Sequence, residues 1–306
     1  MLSFVARRVL SLIPTLFCMA TLLFFMVRLA PGNPFETEKQ VPVEVRAEID
    51  KKIHLNDPIP TQYKFWLVAV VRHGDLGPTI KYPNRSVNEI IALSLPVSME
   101  LGAMAMLLAL LTGIPLGIVG AVRQNSWKDS AAMGIAMVGV SVPSFVLASL
   151  FVFVFAMKLY ILPVARWETW RHMIMPVICL AGPTAAYIAR LTRGGMLEVI
   201  RSDFVRTARA KGLSEMKVIR RHALRGGLLP VVSFLGPGFS GLFVGSLVIE
   251  RIFGIPGMGR YFVDAALNRD YFLIVGIALV YGVILAVFNT LVDIAYVFLD
   301  PRVELR

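Results

Sequence analysis

DFVRTARAKGLSEMKVIRRHALRGGLLP, residues 203–230, is a basic stretch set between two apolar runs. Its pattern predicts a helix, a turn and a second helix. One helix runs through Phe204–Lys211 and stops at Gly212, a residue suited to the left-handed conformation just past a helix end. Arg209 and Lys211 fall in its last turn, where the helix dipole favours cations. Ser214 is placed to cap the second helix, with Glu215 in the first turn and Arg220 and Arg221 later. Two short helices bent around a glycine make a compact knob, a shape that can seat in a groove on another protein. A plain basic loop explains the charge but not the ordered turn, and binding to anionic lipid explains the basic face. Docking to a motor protein explains both.

The flanks of this stretch decide the class. The chain has 306 residues, 57% hydrophobic and only 17% charged, against about 25% charged in an ordinary soluble domain. A membrane span needs on the order of 20 mostly apolar residues. Six stretches qualify: about Val9–Ala30, Ser98–Val122, Ser130–Met157, Met173–Thr192, Leu228–Ile249 and Leu273–Leu299. The first follows Arg7 and Arg8 and competes with a cleaved signal peptide, but its apolar core is too long and no clean small-x-small site follows. A net charge of +11 would suggest nucleic acid in a soluble protein. Here the cations lie between apolar spans and read as basic loops, so membrane lipid is expected as a neighbour and nucleic acid is not.

Arg7, Arg8 and the basic run from Arg193 to Arg225 predict that both termini and the loop at about 193–228 face the cytoplasm. Residues 31–97 then face outward, with eight basic and eight acidic residues in balance. That segment predicts a helix opened by Pro42, with Val45, Ile49 and Ile53 on one face. Asn56-Asp57-Pro58 makes a break, and a second helix carries Tyr63, Trp66, Leu67, Val70 and Val71 on one stripe. It reads either as a cap on the spans or as a docking surface for an outside partner.

Inside the spans, Gly113 with Gly117 and Gly241 with Gly245 have helix-packing spacing. Pro115, Pro143, Pro183 and Pro237 interrupt apolar runs. Pro143 sits in a polar kink that makes Ser141, Pro143 and Ser144 candidate pathway-lining residues. Glu100 and Asp293 are the candidate intramembrane acids; Asp293 serves either proton coupling or pairing with a nearby cation. Cys18 and Cys179 lie in apolar runs, and His54, His73, His172 and His222 show no ligand spacing, so no metal site or resident cofactor is expected. No glycine is followed by lysine, which excludes the phosphate-cradling G-x-x-x-x-G-K-[ST] loop. Catalytic residues are likewise not expected.

The segment from Arg206 to Ser214, with Arg221-His-Ala-Leu-Arg225 and Leu229-Pro230, closely resembles the EAA loop of binding-protein-dependent ABC importer permeases. Further matches to the peptide/nickel branch are Arg28-Leu-Ala-Pro-Gly-Asn-Pro34, His54-Leu-Asn-Asp-Pro58, Gly139–Pro143, Glu250-Arg-Ile-Phe-Gly-Ile-Pro-Gly-Met-Gly259, Asn268-Arg-Asp-Tyr271 and Asp300-Pro301. The chain is most similar to the B-type permeases of oligopeptide importers. The general family has Glu where this chain has Arg206, although Arg is common in the peptide branch. Gly226-Gly227 replaces a less flexible pair, which suggests a looser hinge into the fifth span.

The resemblance implies an all-α integral membrane protein of six spans, in the type I ABC importer fold, in a bacterial inner membrane. Residues 1–93 would form the first span and periplasmic segment, 94–295 the permease domain and 296–306 a cytoplasmic tail. It implies a non-catalytic half-pathway for oligopeptides, with dipeptides or nickel as alternatives. The partners implied are a homologous second permease, two cytoplasmic ATPase subunits that hold ATP and magnesium, a periplasmic peptide-binding protein and the peptide. The coupling residues carried over are Phe204, Arg206, Thr207, Ala208, Arg209, Lys211, Gly212, Leu213, Arg221 and His222. A self-contained secondary transporter or channel would instead work without an ATPase and depend on Asp293 or Glu100. A membrane enzyme would need reactive side chains clustered at one depth, and the sequence offers none.

Overall fold

The computed structural model describes residues 2–29, 57–82 and 85–299. The elements in order are α1 (Leu2–Leu29), α2 (Ile59–His73), α3 (Val87–Val122), α4 (Trp127–Ser141) and α5 (Ser144–Phe151), which continues as a π-helix (Val152–Lys158). Then come α6 (Trp170–Ile200), α7 (Asp203–Ala210), α8 (Glu215–Val218), a π-helical turn (Ile219–Ala223), α9 (Leu224–Gly227), α10 (Leu229–Ile252), α11 (Met258–Asn268) and α12 (Tyr271–Leu299). The class is all-α, as expected; among the described residues β-pairing is limited to one isolated bridge, Pro78 with Ser86. The helix expected from Pro42 and the motif at Asp300-Pro301 lie outside the described residues.

Helices α1, α3, α6, α10 and α12 are each long and apolar enough to cross a membrane. The sixth crossing is the pair α4 and α5, bent by 93° at Val142-Pro143. Proline removes a helical hydrogen bond and drives the preceding residue out of the helical region, and Val142 sits at φ −97°, ψ 119°. The expected kink in the third span is therefore a full break.

Two boundaries differ from the sequence reading. Helix α3 begins at Val87 rather than near Ser98, because Ser86 and Glu89 form a capping box. At 36 residues it is about 54 Å long and overshoots a hydrocarbon core of about 30 Å. The boundary expected between residues 93 and 94 thus falls inside an unbroken helix. Helix α6 runs on to Ile200, so residues 193–200 are helix rather than loop. Arg193 remains in the helix because Asp129 on α4 takes its guanidinium in a bidentate pair, Nε to Oδ1 and Nη2 to Oδ2, both 2.7 Å.

Close backbone approach organises the bundle. A Cβ on Gly113 would stand 2.5 Å from the Ala185 carbonyl oxygen, and one on Gly117 would stand 2.5 Å from that of Ala189. These glycines let α3 lie directly on α6. Gly241 does not repeat the pattern, for nothing lies within 4 Å of a Cβ placed there. The main core gathers Leu101, Ala105, Met175, Ile188, Leu242, Phe243 and Ile249. A second core, at the end of the bundle opposite the knob, joins α1, α2 and α12 through Phe24, Trp66, Tyr271 and Leu273. Tyr63, Leu67 and Val70 pack against it as the expected stripe requires. Val71 does not, being 75% exposed.

Gly117→Ala should destabilise the fold by about 1–3 kcal/mol, since the added methyl has no room beside a backbone oxygen. Gly134→Ala, with nothing within 4 Å of its Cβ, should be neutral or stabilising by up to about 1 kcal/mol. Thermal unfolding in detergent would check both; equal melting points would refute the close-approach account.

Candidate functional site

The segment at 203–227 folds as the sequence predicts, into two short arms around a glycine. Helix α7 ends at Ala210, and Gly212 follows at φ +78°. That left-handed conformation costs an L-residue on the order of 1–2 kcal/mol. Ser214 holds the N-cap position of α8, but its side chain makes no capping bond. Glu215 instead reaches back to α7 and accepts from Arg209 in a bidentate pair, Nη2 to Oε1 at 2.7 Å and Nε to Oε2 at 3.1 Å. Arg209 holds the Glu215 carboxyl below the ordinary carboxylate range, and Glu215 raises Arg209 in turn.

Between the arms lies a small core of Val205, Ala208 and Val218, with Leu213 packed against it. Phe204, Arg206, Thr207, Arg209, Lys211, Gly212 and Arg221 are exposed on the knob, while His222 is half-buried. Thr207 donates to the Asp203 carbonyl. Ala208 therefore supports the knob from beneath, and Phe204 and Met216, 54% and 59% exposed, are its protruding apolar groups.

The knob is fixed to the bundle by a second close approach. A Cβ on Gly195 would lie 2.4 Å from the Gly227 carbonyl oxygen, and one on Gly227 would lie 2.5 Å from Met196 Sδ. Gly226-Gly227 is thus a tight contact surface for α6, and the looser hinge suggested by the sequence is not what the pair provides. Met196, Ile219, Ala223 and Ala121 pack around it.

Of the three candidate pathway residues, Ser141 lines a cavity of about 530 Å³ between α4 and α6, together with Met137, Val140, Arg190 and Arg193. Pro143 and Ser144 shape the break beside it and do not line it. Ser141 Oγ donates back to the Met137 carbonyl at 2.8 Å. The Asp129–Arg193 pair stands on the knob side of this cavity, and Asp129 also accepts from the Asn125 amide.

The two acids singled out from sequence are placed differently from one another. Glu100 accepts from Trp167 Nε1 at 3.1 Å in an exposed setting, and Asp293 lies on α12 with its side chain outside the described residues. The most deeply buried acids are two others. Glu250 accepts from Ser98 Oγ at 2.8 Å, from the Gly259 amide at 2.7 Å and from the Arg260 amide at 3.3 Å. A Cβ on Gly257 would stand 2.4 Å from its Oε2, so the glycines of Gly-Met-Gly259 let the backbone close on the carboxylate. Asp270 accepts from the amides of Ile80 and Lys81 at 2.9 and 3.1 Å and from that of Leu273 at 3.4 Å. The sequence signal for Glu250 was the acid followed by a glycine-rich turn. Among the described residues no group of His, Cys, Asp or Glu could hold a metal ion.

Residues 113–305 match the family model for the inner membrane component of binding-protein-dependent transport systems, and residues 1–99 match the N-terminal model of such membrane components. The chain is 49% identical to the oligopeptide transport system permease protein OppB of Escherichia coli K12, over 99% of this chain and 100% of that protein. It is 43% identical to the dipeptide transport system permease protein DppB of Bacillus subtilis, over 100% of this chain and 99% of that one. Among solved structures, an inward-facing form of the MetNI methionine ABC transporter matches with a TM-score of 0.57 at 16% identity, covering 69% of this chain and 96% of that one.

The Arg209–Glu215 pair is partly exposed, so its contribution is at most about 1 kcal/mol. Glu215 is depressed, so that contribution is complete above the ordinary value of 4.5 and fades as pH falls below it. Arg209→Ala should lower amide protection across residues 203–218 by up to about fivefold at pH 7, and the two proteins should converge as the pH falls through the lowered range in which Glu215 titrates. Hydrogen exchange corrected for intrinsic rates would check this; identical protection at pH 7 would show that the pair does not hold the arms together.

Proposed function

Because the chain belongs to the family of inner membrane components of binding-protein-dependent transport systems, we propose that it is the permease subunit of an ABC importer and forms half of a translocation pathway for oligopeptides. The observation that carries the substrate is the full-length identity of 49% with an oligopeptide permease. A dipeptide substrate is the second reading, favoured by the 43% identity with a dipeptide permease.

The chain is a multi-pass membrane component without catalytic activity of its own. It carries no phosphate-cradling loop, so the energy comes from separate subunits. On this reading the other half of the pathway is a homologous second permease. Two ATPase subunits below bind ATP and magnesium, and a peptide-binding protein delivers substrate from outside. The basic bias of the knob end supports placing the knob and both termini in the cytoplasm.

Coupling follows from the knob's construction. Phe204, Met216 and the exposed cations Arg206, Lys211 and Arg221 offer two apolar anchors in a basic rim, a composition suited to an acidic-rimmed groove on an ATPase. Gly212 sets the angle between the arms. Closure of the ATPases displaces the knob, and α6, in backbone contact with it through Gly195 and Gly227, moves with it. Differential binding of ATP to the closed ATPases then shifts the spans between inward- and outward-facing states.

Membranes carrying this chain, its ATPases, the second permease and the binding protein should take up oligopeptides only with ATP. The complex should co-purify from mild detergent, and an isolated single chain active in uptake would sink the importer reading. Gly212→Val, which strains the left-handed turn, should insert normally yet reduce uptake by about tenfold or more. Full uptake by that variant with the ATPases still bound would remove the coupling role.

A further inference from the structure

Aromatic residues and cations mark both membrane surfaces on α6. Trp170 is exposed, with the Arg171 guanidinium 5.6 Å from its ring centroid. Tyr187 is exposed too, with the Arg190 guanidinium 5.5 Å from its ring centroid. Trp170 to Arg190 spans about 30 Å of helix, the thickness of a hydrocarbon core, and Trp, Tyr and cations collect at the two faces of such a core. On α4 the exposed Trp127, with Lys128 beside it, marks the knob-side face again. Arg190 therefore stands at headgroup level, one turn from Arg193. Asp129 neutralises Arg193; Arg190 is exposed and has no carboxylate partner among the described residues.

From that level an apolar trough runs between α4 and α6. Met133, Met137 and Val140 line it from α4, and their spacing puts them on one stripe of the helix. The stripe is about 10 Å long, on the order of the hydrocarbon of one leaflet. Met137 and Val140 are exposed, as are Ile135 and Val138 beside them, so the trough opens onto a continuous apolar surface of the span.

We propose that this trough seats an anionic phospholipid of the knob-side leaflet, its phosphate on Arg190 and one acyl chain along Met133, Met137 and Val140. A basic pocket between spans at this level suits an anionic headgroup, and flexible thioethers adapt to a mobile chain. A zwitterionic headgroup fits less well. Asp129 is committed to Arg193, and Glu198, the one carboxylate on α6, lies about two turns nearer the knob, so an ethanolamine ammonium lacks a partner. The assignment goes beyond the importer reading and holds whichever peptide the pathway carries.

The test uses the chain in vesicles, alone and within the complete assembly. The probes are phosphatidylglycerol and phosphatidylethanolamine, each with a photoactivatable diazirine midway along one acyl chain. At equal mole fraction, phosphatidylglycerol should label residues 133–140 about fivefold more than phosphatidylethanolamine. Arg190→Gln should lower that labelling about tenfold, and Arg190→Lys should keep most of it. Lys217→Gln, on the knob, should leave it unchanged. Equal labelling by the two lipids in the unsubstituted protein overturns the site, whether or not Arg190→Gln inserts. Phosphatidylglycerol labelling untouched by Arg190→Gln overturns it as well. Labelling of the chain alone that disappears in the assembly, with Val140→Cys cross-linking to the second permease instead, assigns the trough to that partner and also overturns it. Peptide uptake plays no part in these readouts, so each of these results leaves the importer reading standing.

Discussion

Backbone contact between helices along α6 is the constraint on which the rest of the molecule depends. Lipid offers helices no hydrophobic drive to associate, so association relies on close packing and internal polar pairs. Helix α6 obtains the first on three sides. It takes α3 through Gly113 and Gly117, α4 through Gly139, whose Cβ would stand 3.1 Å from the Gly182 carbonyl oxygen, and α9 through Gly195 and Gly227. With no side chain between the backbones, there is little to compress. On the proposed coupling, a displaced knob carries α6 with it, and with α6 go α3 and the lower half of the broken span.

The two ends of the bundle are held by different chemistry. At the knob end the contacts between helices are glycine, alanine, aliphatic side chains and Met196, with the Asp129–Arg193 pair joining α4 to α6. At the opposite end buried carboxylates gather backbone amides. Glu250 ties α10 to the turn before α11 and, through Ser98, to α3; Asp270 ties α12 to residues 80 and 81. A carboxylate accepting two or three amides is short-ranged and directional, so that end is fixed in register.

Much of this was legible in the sequence, for local reasons. Apolar runs gave the crossings, Gly212 gave the turn, and Pro143 gave the break. What the sequence hid depends on partners far along the chain. Arg193 reads as the first residue of a loop because a charge ends an apolar run; it is helical because Asp129, on another helix, neutralises it. Gly226-Gly227 reads as slack because glycine is flexible alone; it is tight because Met196 and Val199 fill the space a Cβ would need. The start of α3 hides behind Asn88, Glu89 and Pro96, which look like loop until Ser86 and Glu89 cap it. Glu250 looks like the polar end of a span until the chain folds back to give it three donors.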